Sequence, residues 1–230
     1  MTTPTLLDSF AATTGAIQPA DFTVSAGSNR FLYLFVRYND STPDLITGVT
    51  YGGQSMTELT EITPGTGVGW IFQLDDDGIE AATNDSFVIT YEGSVSSFRH
   101  IMHVCSVQDA DQSQVPTVTT DIDNNDPMDV TFTALDGLGL AWCNDNHGNV
   151  SGTSMSWENS WVEQGEEVDS SDGNVTCSTA TKVLTAGSET AQCNVGTTGS
   201  TSTTAWISAF TVVGIGGSLL LLGGSANGGF

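Results

Sequence analysis

Residues 30–38 read RFLYLFVRY, a run in which every position except Arg30 and Arg37 is apolar or aromatic. Phenylalanine, tyrosine and valine favour a pleated backbone, and nine residues is strand length rather than helix length. The run reads as the central strand of a sheet. Downstream, ITGVTYGG (46–53) and QSMTELTEI (54–62) meet at Gly52-Gly53, a two-residue hairpin signal. Further strand candidates are GWIFQL, SFVITYEG, FRHIMHVCSVQ, MDVTFTAL, LGLAWCND, SMSWENSWVEQ, NVTCSTATKVL, ETAQCNVGT and TAWISAFTVV. Turn clusters such as TPGTG, DDDG, DNNDP and SSDG separate them. No window holds a helical period, and DDDGIEAATN has room for one short turn of helix. The pattern predicts an all-β protein, an antiparallel β-sandwich of about ten strands, jelly-roll-like. Residues 1–213 read as one domain, with no internal repeat and no dividing linker, and residues 214–230 as a glycine-rich apolar arm.

Composition narrows function. Four basic residues face 27 acidic ones, a formal charge of −23. That sign repels phosphate backbones and anionic membranes, so neither nucleic acid nor a membrane is an expected partner. Charged residues make up 13% of the chain, about half the usual share, so much of the surface must be hydroxyl and amide. Such a surface suits work outside cells, in salt that screens self-repulsion. The opening MTTPTLLDSFAATTG has neither a basic nor an apolar stretch and does not read as a secretory signal. Release by lysis, as for virion proteins, is one route that needs no signal.

Four cysteines, Cys105, Cys143, Cys177 and Cys193, allow three disulfide connectivities. Cys177 and Cys193 flank a turn around TAGS and, folded as a hairpin, would stand opposite each other. A bridge there is worth about 3 kcal/mol. Cys105 and Cys143 could pair between strands, and four buried free thiols are the alternative.

Chemical motifs are sparse. His100 and His103, three apart on a strand, point to opposite faces and do not share a metal. Glu58 and Glu61 fail as an acid/base pair for the same reason. His147 has no nucleophile motif nearby, and the glycine-rich segments lack a phosphate-loop lysine. No enzyme activity and no cofactor are expected. For calcium, Asp121, Asp123 and Asn125 match three alternating ligands, but Asp126 and Phe132 occupy the positions where an EF-hand needs glycine and glutamate. Strand alternation in SMSWENSWVEQ puts Met155, Trp157, Asn159 and Trp161 on one face. Trp157 and Trp161, about 13 Å apart there, could stack two sugar rings, or the face could pack on the second sheet.

The succession VSAGSNRFLYLFV, ITGVTYGGQSMTEL, IFQLDDDGIEAATNDSFVITY, CSVQDADQSQVP, GLGLAWC and AWISAFTVV resembles a widespread jelly-roll-like β-sandwich family of tailed-phage structural proteins and bacterial surface or secreted proteins. The resemblance runs from about Thr13 to Val213. Its most specific pieces are Gly27-Ser28-Asn29-Arg30, and Val49 to Gly53 with Met56. Ser106-Val107-Gln108-Asp109 departs from the Ser-Gly-Val-Asp of other members. The resemblance implies a displayed scaffold without activity.

The tail GIGGSLLLLGGSANGGF (214–230) lies outside it. With TAWISAFTVV it has transmembrane length, but glycines interrupt it and no basic residue follows. Alternation in 206–213 makes that part the last strand, leaving a Gly-Ile-Gly-Gly hinge and a plug, Leu219, Leu220, Leu221 and Leu222. The plug reads as an assembly arm that docks on sister subunits or a major capsid protein, as a self-packed end, or as an anchor. The expectation is a non-enzymatic, homo-oligomeric virion structural protein on the particle exterior, a capsid decoration, cement or appendage subunit. A glycan-binding adhesin, and an extracellular surface-layer or filament subunit, are the alternatives.

Overall fold

A computed structural model describes residues 2–38, 45–63, 67–95, 100–122, 126–146, 154–169, 175–195 and 204–216. The first half of the chain forms β1 (Thr5–Thr14), β2 (Phe31–Tyr38), β3 (Ile46–Tyr51), β4 (Gln54–Ser55), β5 (Thr57–Ile62), β6 (Val68–Leu74), helix α1 (Asp76–Ala81), β7 (Phe87–Tyr91) and β8 (His100–Gln108). The second half forms β9 (Thr119–Asp121), β10 (Met128–Ala134), β11 (Gly137–Asn146), β12 (Ser156–Trp157), β13 (Val162–Asp169), β14 (Val175–Leu184), β15 (Gly187–Asn194) and β16 (Thr204–Val213). All pairings are antiparallel. The all-β antiparallel sandwich expected from the sequence is therefore the fold, with sixteen strands among the described residues instead of about ten. Four of them, the short β4, β9 and β12 and the bulged edge strand β1, have no separate run among the twelve candidates read from the sequence.

The strands form four sheets, ordered β4-β3-β7, β1-β8-β2-β6-β5, β13-β14-β11-β16-β9 and β10-β15-β12. Three apolar cores lie between them. The first joins β3 and β7 to one face of β2, β6 and β8. The middle core joins the other face of β2 and β8 to β11 and β16. The third joins the far face of β11 and β16 to β10 and β15. The layers therefore stack three-, five-, five- and three-stranded.

This stacking explains the uninterrupted apolarity of RFLYLFVRY. Leu32, Leu34, Val36 and Tyr38 face the first core, while Phe31, Tyr33 and Phe35 face the middle one. A strand with sheets on both sides has no solvent face, so its sequence does not alternate. In the middle core, rings from both halves meet. Phe35 lies 5.8 Å from Trp142, Tyr33 5.4 Å from Phe210, and Trp142 packs edge-on to Trp206 at 5.8 Å. Burial of this many rings makes the two halves one body.

The two halves also share an arrangement the sequence does not announce. In each five-stranded sheet the half's first strand is an edge beside its last (β1 by β8, β9 by β16). An early strand follows (β2, β11), then the sixth and fifth strands of that half (β6 and β5, β14 and β13). In the second half, β9-β16-β11-β14 against β10-β15-β12 is jelly-roll order. The likeness is confined to the five-stranded sheets, since the outer sheets differ in order, β4-β3-β7 against β10-β15-β12, and no sequence repeat accompanies it.

Local chemistry accounts for the joints. Tyr51 and Gln54 pair across Gly52-Gly53, both glycines with positive φ (54° and 85°), as a two-residue hairpin requires. A Cβ at Gly52 would stand 2.5 Å from the carbonyl oxygen of Asn84, so glycine is obligatory there. Met56 then turns into the first core, its N–H donating to the Val49 carbonyl. Asp75 caps α1 by accepting from the Gly78 N–H at 2.9 Å, which turns the DDDG cluster into a helix start.

Candidate functional site

The tryptophan pair is not a strand face. The chain turns at Asn159 and Ser160, which have φ of 55° and 63°, and this brings the Trp157 and Trp161 ring centroids to 6.3 Å instead of about 13 Å. Trp161 is 4% exposed, packs against Phe132, and donates its Nε1–H to the Thr190 carbonyl. Trp157 is half-buried and donates to Ser178 Oγ at 2.8 Å. Met155 is buried in the same core. Asn159 stays exposed, beside Gln192. The expected glycan platform is thus corrected to a wall of the third core, because the turn buries what continued alternation would have exposed.

The cysteine geometry is also corrected. Cys105, Cys143, Cys177 and Cys193 are buried free thiols. β14 and β15 follow each other but belong to different sheets, so Cys177 faces the middle core and Cys193 the third. The layer of β11 and β14 separates them. Cys193 shares the third core with Cys143, not with Cys177, and Cys143 Sγ lies 4.0 Å from Met128 Sδ. Cys105 faces the middle core and Cys143 the third, which rules out that pairing too. Burial pushes the Cys143 and Cys105 thiols well up and Cys177 up to about 12, so all three remain protonated and unreactive at neutral pH.

His100 and His103 point to opposite faces, as their spacing predicts. His100 stacks on Tyr38 at 4.5 Å, and His103 Nδ1 lies 3.5 Å from Thr179 Oγ1. Asp121 lies exposed on β9, while Asp123 and Asn125 lie outside the described residues. Asp126, beyond that loop, accepts from the Val195 N–H. Among the described residues no group of three histidine, cysteine or carboxylate side chains is placed to hold a metal ion.

The structure also gathers polar residues that the sequence did not flag. Arg37, Asn144, Asp145 and Asp169 are all buried where β2, β11, β13 and β14 approach one end of the sandwich. Cys177 sits among them, donating to Asn144 Oδ1 at 3.1 Å. After burial, the Arg37 guanidinium pulls its pKa down, while Asp145, Glu167 and Asp169 push it up. Removing one charge from such a buried group would leave its partners uncompensated. The visible signal was an arginine inside an apolar run.

At the other end the chain leaves the fold. The expected hinge is not free over its first two residues: Gly214 bridges to Ala110, the Ile215 N–H donates to Asp109, and Ile215 accepts from Thr2. The edge of Asp109–Asp111 offers backbone partners, so the last strand simply continues through them. Leu219, Leu220, Leu221 and Leu222 lie outside the described residues. Among the described residues no helix is long and apolar enough to cross a membrane.

No family model, curated protein or solved structure matches the chain.

Proposed function

We propose that the chain is a non-enzymatic structural subunit of a virion exterior, a decoration, cement or appendage protein held by its C-terminal arm. The observation that carries this reading is the fixed root of the tail. A body of charge −23 ends in a pinned strand, from which an uncharged segment with four consecutive leucines continues. Like-charged bodies repel, and an uncharged apolar extension gives them a contact that burial of leucine favours. The stacked sheets supply a rigid, hydroxyl-rich body for display, and the sequence resemblance points the same way.

Antibodies against the sandwich, used on purified particles and on cell fractions from the source culture, test this reading. Label on the particle exterior is the expected result. Label confined to the cell envelope would replace it with the surface-layer or filament subunit, for which the same tail would serve. The adhesin alternative is left with the half-buried Trp157 and the exposed Asn159, since Trp161 is buried.

A further inference from the structure

Gln73 stands out within its strand. β6 reads VGWIFQL, and position 73 shares the middle-core face with Ile71, two residues away. It is 8% exposed, and its Oε1 is buried without a hydrogen-bond partner. A buried amide left unpaired costs stability that leucine at the same place would not, so it points to a partner from outside the chain. Half a turn of the carboxamide offers that partner its donor or its acceptor.

Gln73 lines a depression of about 160 Å³ at the mouth of the middle core. Thr57 pairs with Gln73 across β5 and β6, and Ser55, Thr57 and Leu59, two apart along the edge of the sheet, line the same hollow. Asp75 and Phe31 line it as well. Its volume is well below the roughly 300 Å³ at which pockets for drug-sized molecules begin, so it takes one small group.

The lining decides which chemistry fits. A body of charge −23 repels anions. A metal cation would find one carboxylate, Asp75, whose Oδ1 already accepts from the Gly78 N–H. An aliphatic side chain, the tail's leucines included, would leave the Gln73 carboxamide as unpaired as before. The Ser55 and Thr57 hydroxyls, the carboxamide and the carboxylate instead match a group with several hydroxyls, each able to donate and to accept. Leu59 and Phe31 match the C–H faces of a ring. Those are the properties of a pyranose.

We propose that this hollow binds one neutral sugar ring, with Gln73 as its buried anchor. The site opens from the middle core, whereas Trp157 packs on the third, so it is separate from the aromatic surface considered above. It does not depend on how the chain is held on a particle.

Saturation-transfer-difference NMR tests it on the full chain with glucose, galactose, mannose and N-acetylglucosamine, each at millimolar concentration. At least one sugar should give ring-proton signals that saturate with a millimolar Kd, as a pocket this small allows. Gln73→Leu should weaken that binding more than about tenfold, while the melting temperature stays level or rises because an unpaired amide gives way to an apolar side chain. Thr57→Val, which removes one exposed hydroxyl, should weaken it severalfold and carries the test if Gln73→Leu fails to fold. No binding by any of the four sugars would overturn the proposal and leave water as the partner of the carboxamide. Binding that both variants keep, or that Trp157→Phe abolishes, would overturn this hollow as the site. Dependence on Gln73 shown by methylammonium chloride and by none of the sugars would overturn the ligand class. Binding seen only in a chain ended at Gly216 would make the hollow the seat of the chain's own tail and overturn the proposal too.

Discussion

Arg30 Nε lies 2.5 Å from Asp76 Oδ1, and the two side chains are only 10% and 17% exposed. Asp76 also accepts from the Asn29 N–H at 2.6 Å, so one carboxylate ties the entry of β2 to the first turn of α1. The Ser28 and Asn29 carbonyls accept from Asp109 and Ala110, which adds the end of β8 to the same joint. Removing one partner of a buried ion pair strands the other charge. Asp76→Ala should cost about 3 kcal/mol in urea denaturation. Glu80, 3.7 Å from Arg30 but 69% exposed, should cost under about 1 kcal/mol when replaced by alanine. Equal losses would show that the helix, not the pair, carries the effect.

His103 gives the fold an acid sensitivity. Burial pushes its pKa down to about 4, against 6.5 in the unfolded chain. Between those values the unfolded state binds a proton that the folded state refuses, so stability falls as pH drops from about 6.5 to 4. The loss is on the order of 3 kcal/mol by that difference. Denaturation midpoints measured across this window should decline, and His103→Leu should flatten the decline. Asp8 acts in a lower window. Burial alone would raise its pKa, but hydrogen bonds from Ser106 and Ser25 outweigh burial and lower it, so its contribution is lost only below about 3.8.

Trp161→Ala should destabilise the protein by about 3–5 kcal/mol, as expected for emptying a buried indole site. Trp157 keeps one edge in solvent, and its replacement should cost less, about 2 kcal/mol including the bond to Ser178. Thermal or chemical denaturation of both variants checks this. A Trp161→Ala protein as stable as the parent would mean that the ring is free to meet a ligand.

What the sequence made legible follows from where each strand packs. β2, β8, β11 and β16 are buried on both faces, and their apolar runs identified them. The Gly52-Gly53 turn was legible because positive φ at two successive residues leaves little choice but glycine. β1 escaped because register shifts at Asp8 break its two-residue period. The turn at Asn159-Ser160 escaped because neither residue is glycine, although both adopt positive φ. The Cys177–Cys193 hairpin failed for a longer-range reason. Local spacing says that β14 is followed by β15, but only tertiary packing says that they part into different layers.

Cysteine pairing offers a direct check on those layers. Under native, non-reducing conditions a maleimide should label none of the four buried thiols within minutes, and after unfolding it should label all four. If an oxidant is added as the protein unfolds and refolds, a bridge that spares the fold should join Cys143 to Cys193, the two thiols that share the third core. Mass mapping that recovers a native Cys177–Cys193 bridge would contradict the assignment of β14 and β15 to separate sheets.

The last three described residues separate the tail's root from its plug. Cutting after Val213 removes the Thr2–Ile215 and Ile215–Asp109 backbone bonds together with the Gly214–Ala110 bridge. At about 1 kcal/mol net per bond, this should cost about 2 kcal/mol. Cutting after Gly216 leaves all of them in place and should leave the melting temperature unchanged while removing the leucines. Gly214→Ala in the full chain should resemble the deeper cut, because a Cβ there would fall 1.7 Å from the Thr2 carbonyl oxygen and force the two chain ends apart. Differential scanning calorimetry of the three proteins distinguishes the contributions. If the cut after Gly216 is as damaging as the cut after Val213, the leucines belong to the chain's own core. If neither cut changes stability, the contacts of Ile215 with Thr2 and Asp109 are too weak to fix the direction in which the tail leaves.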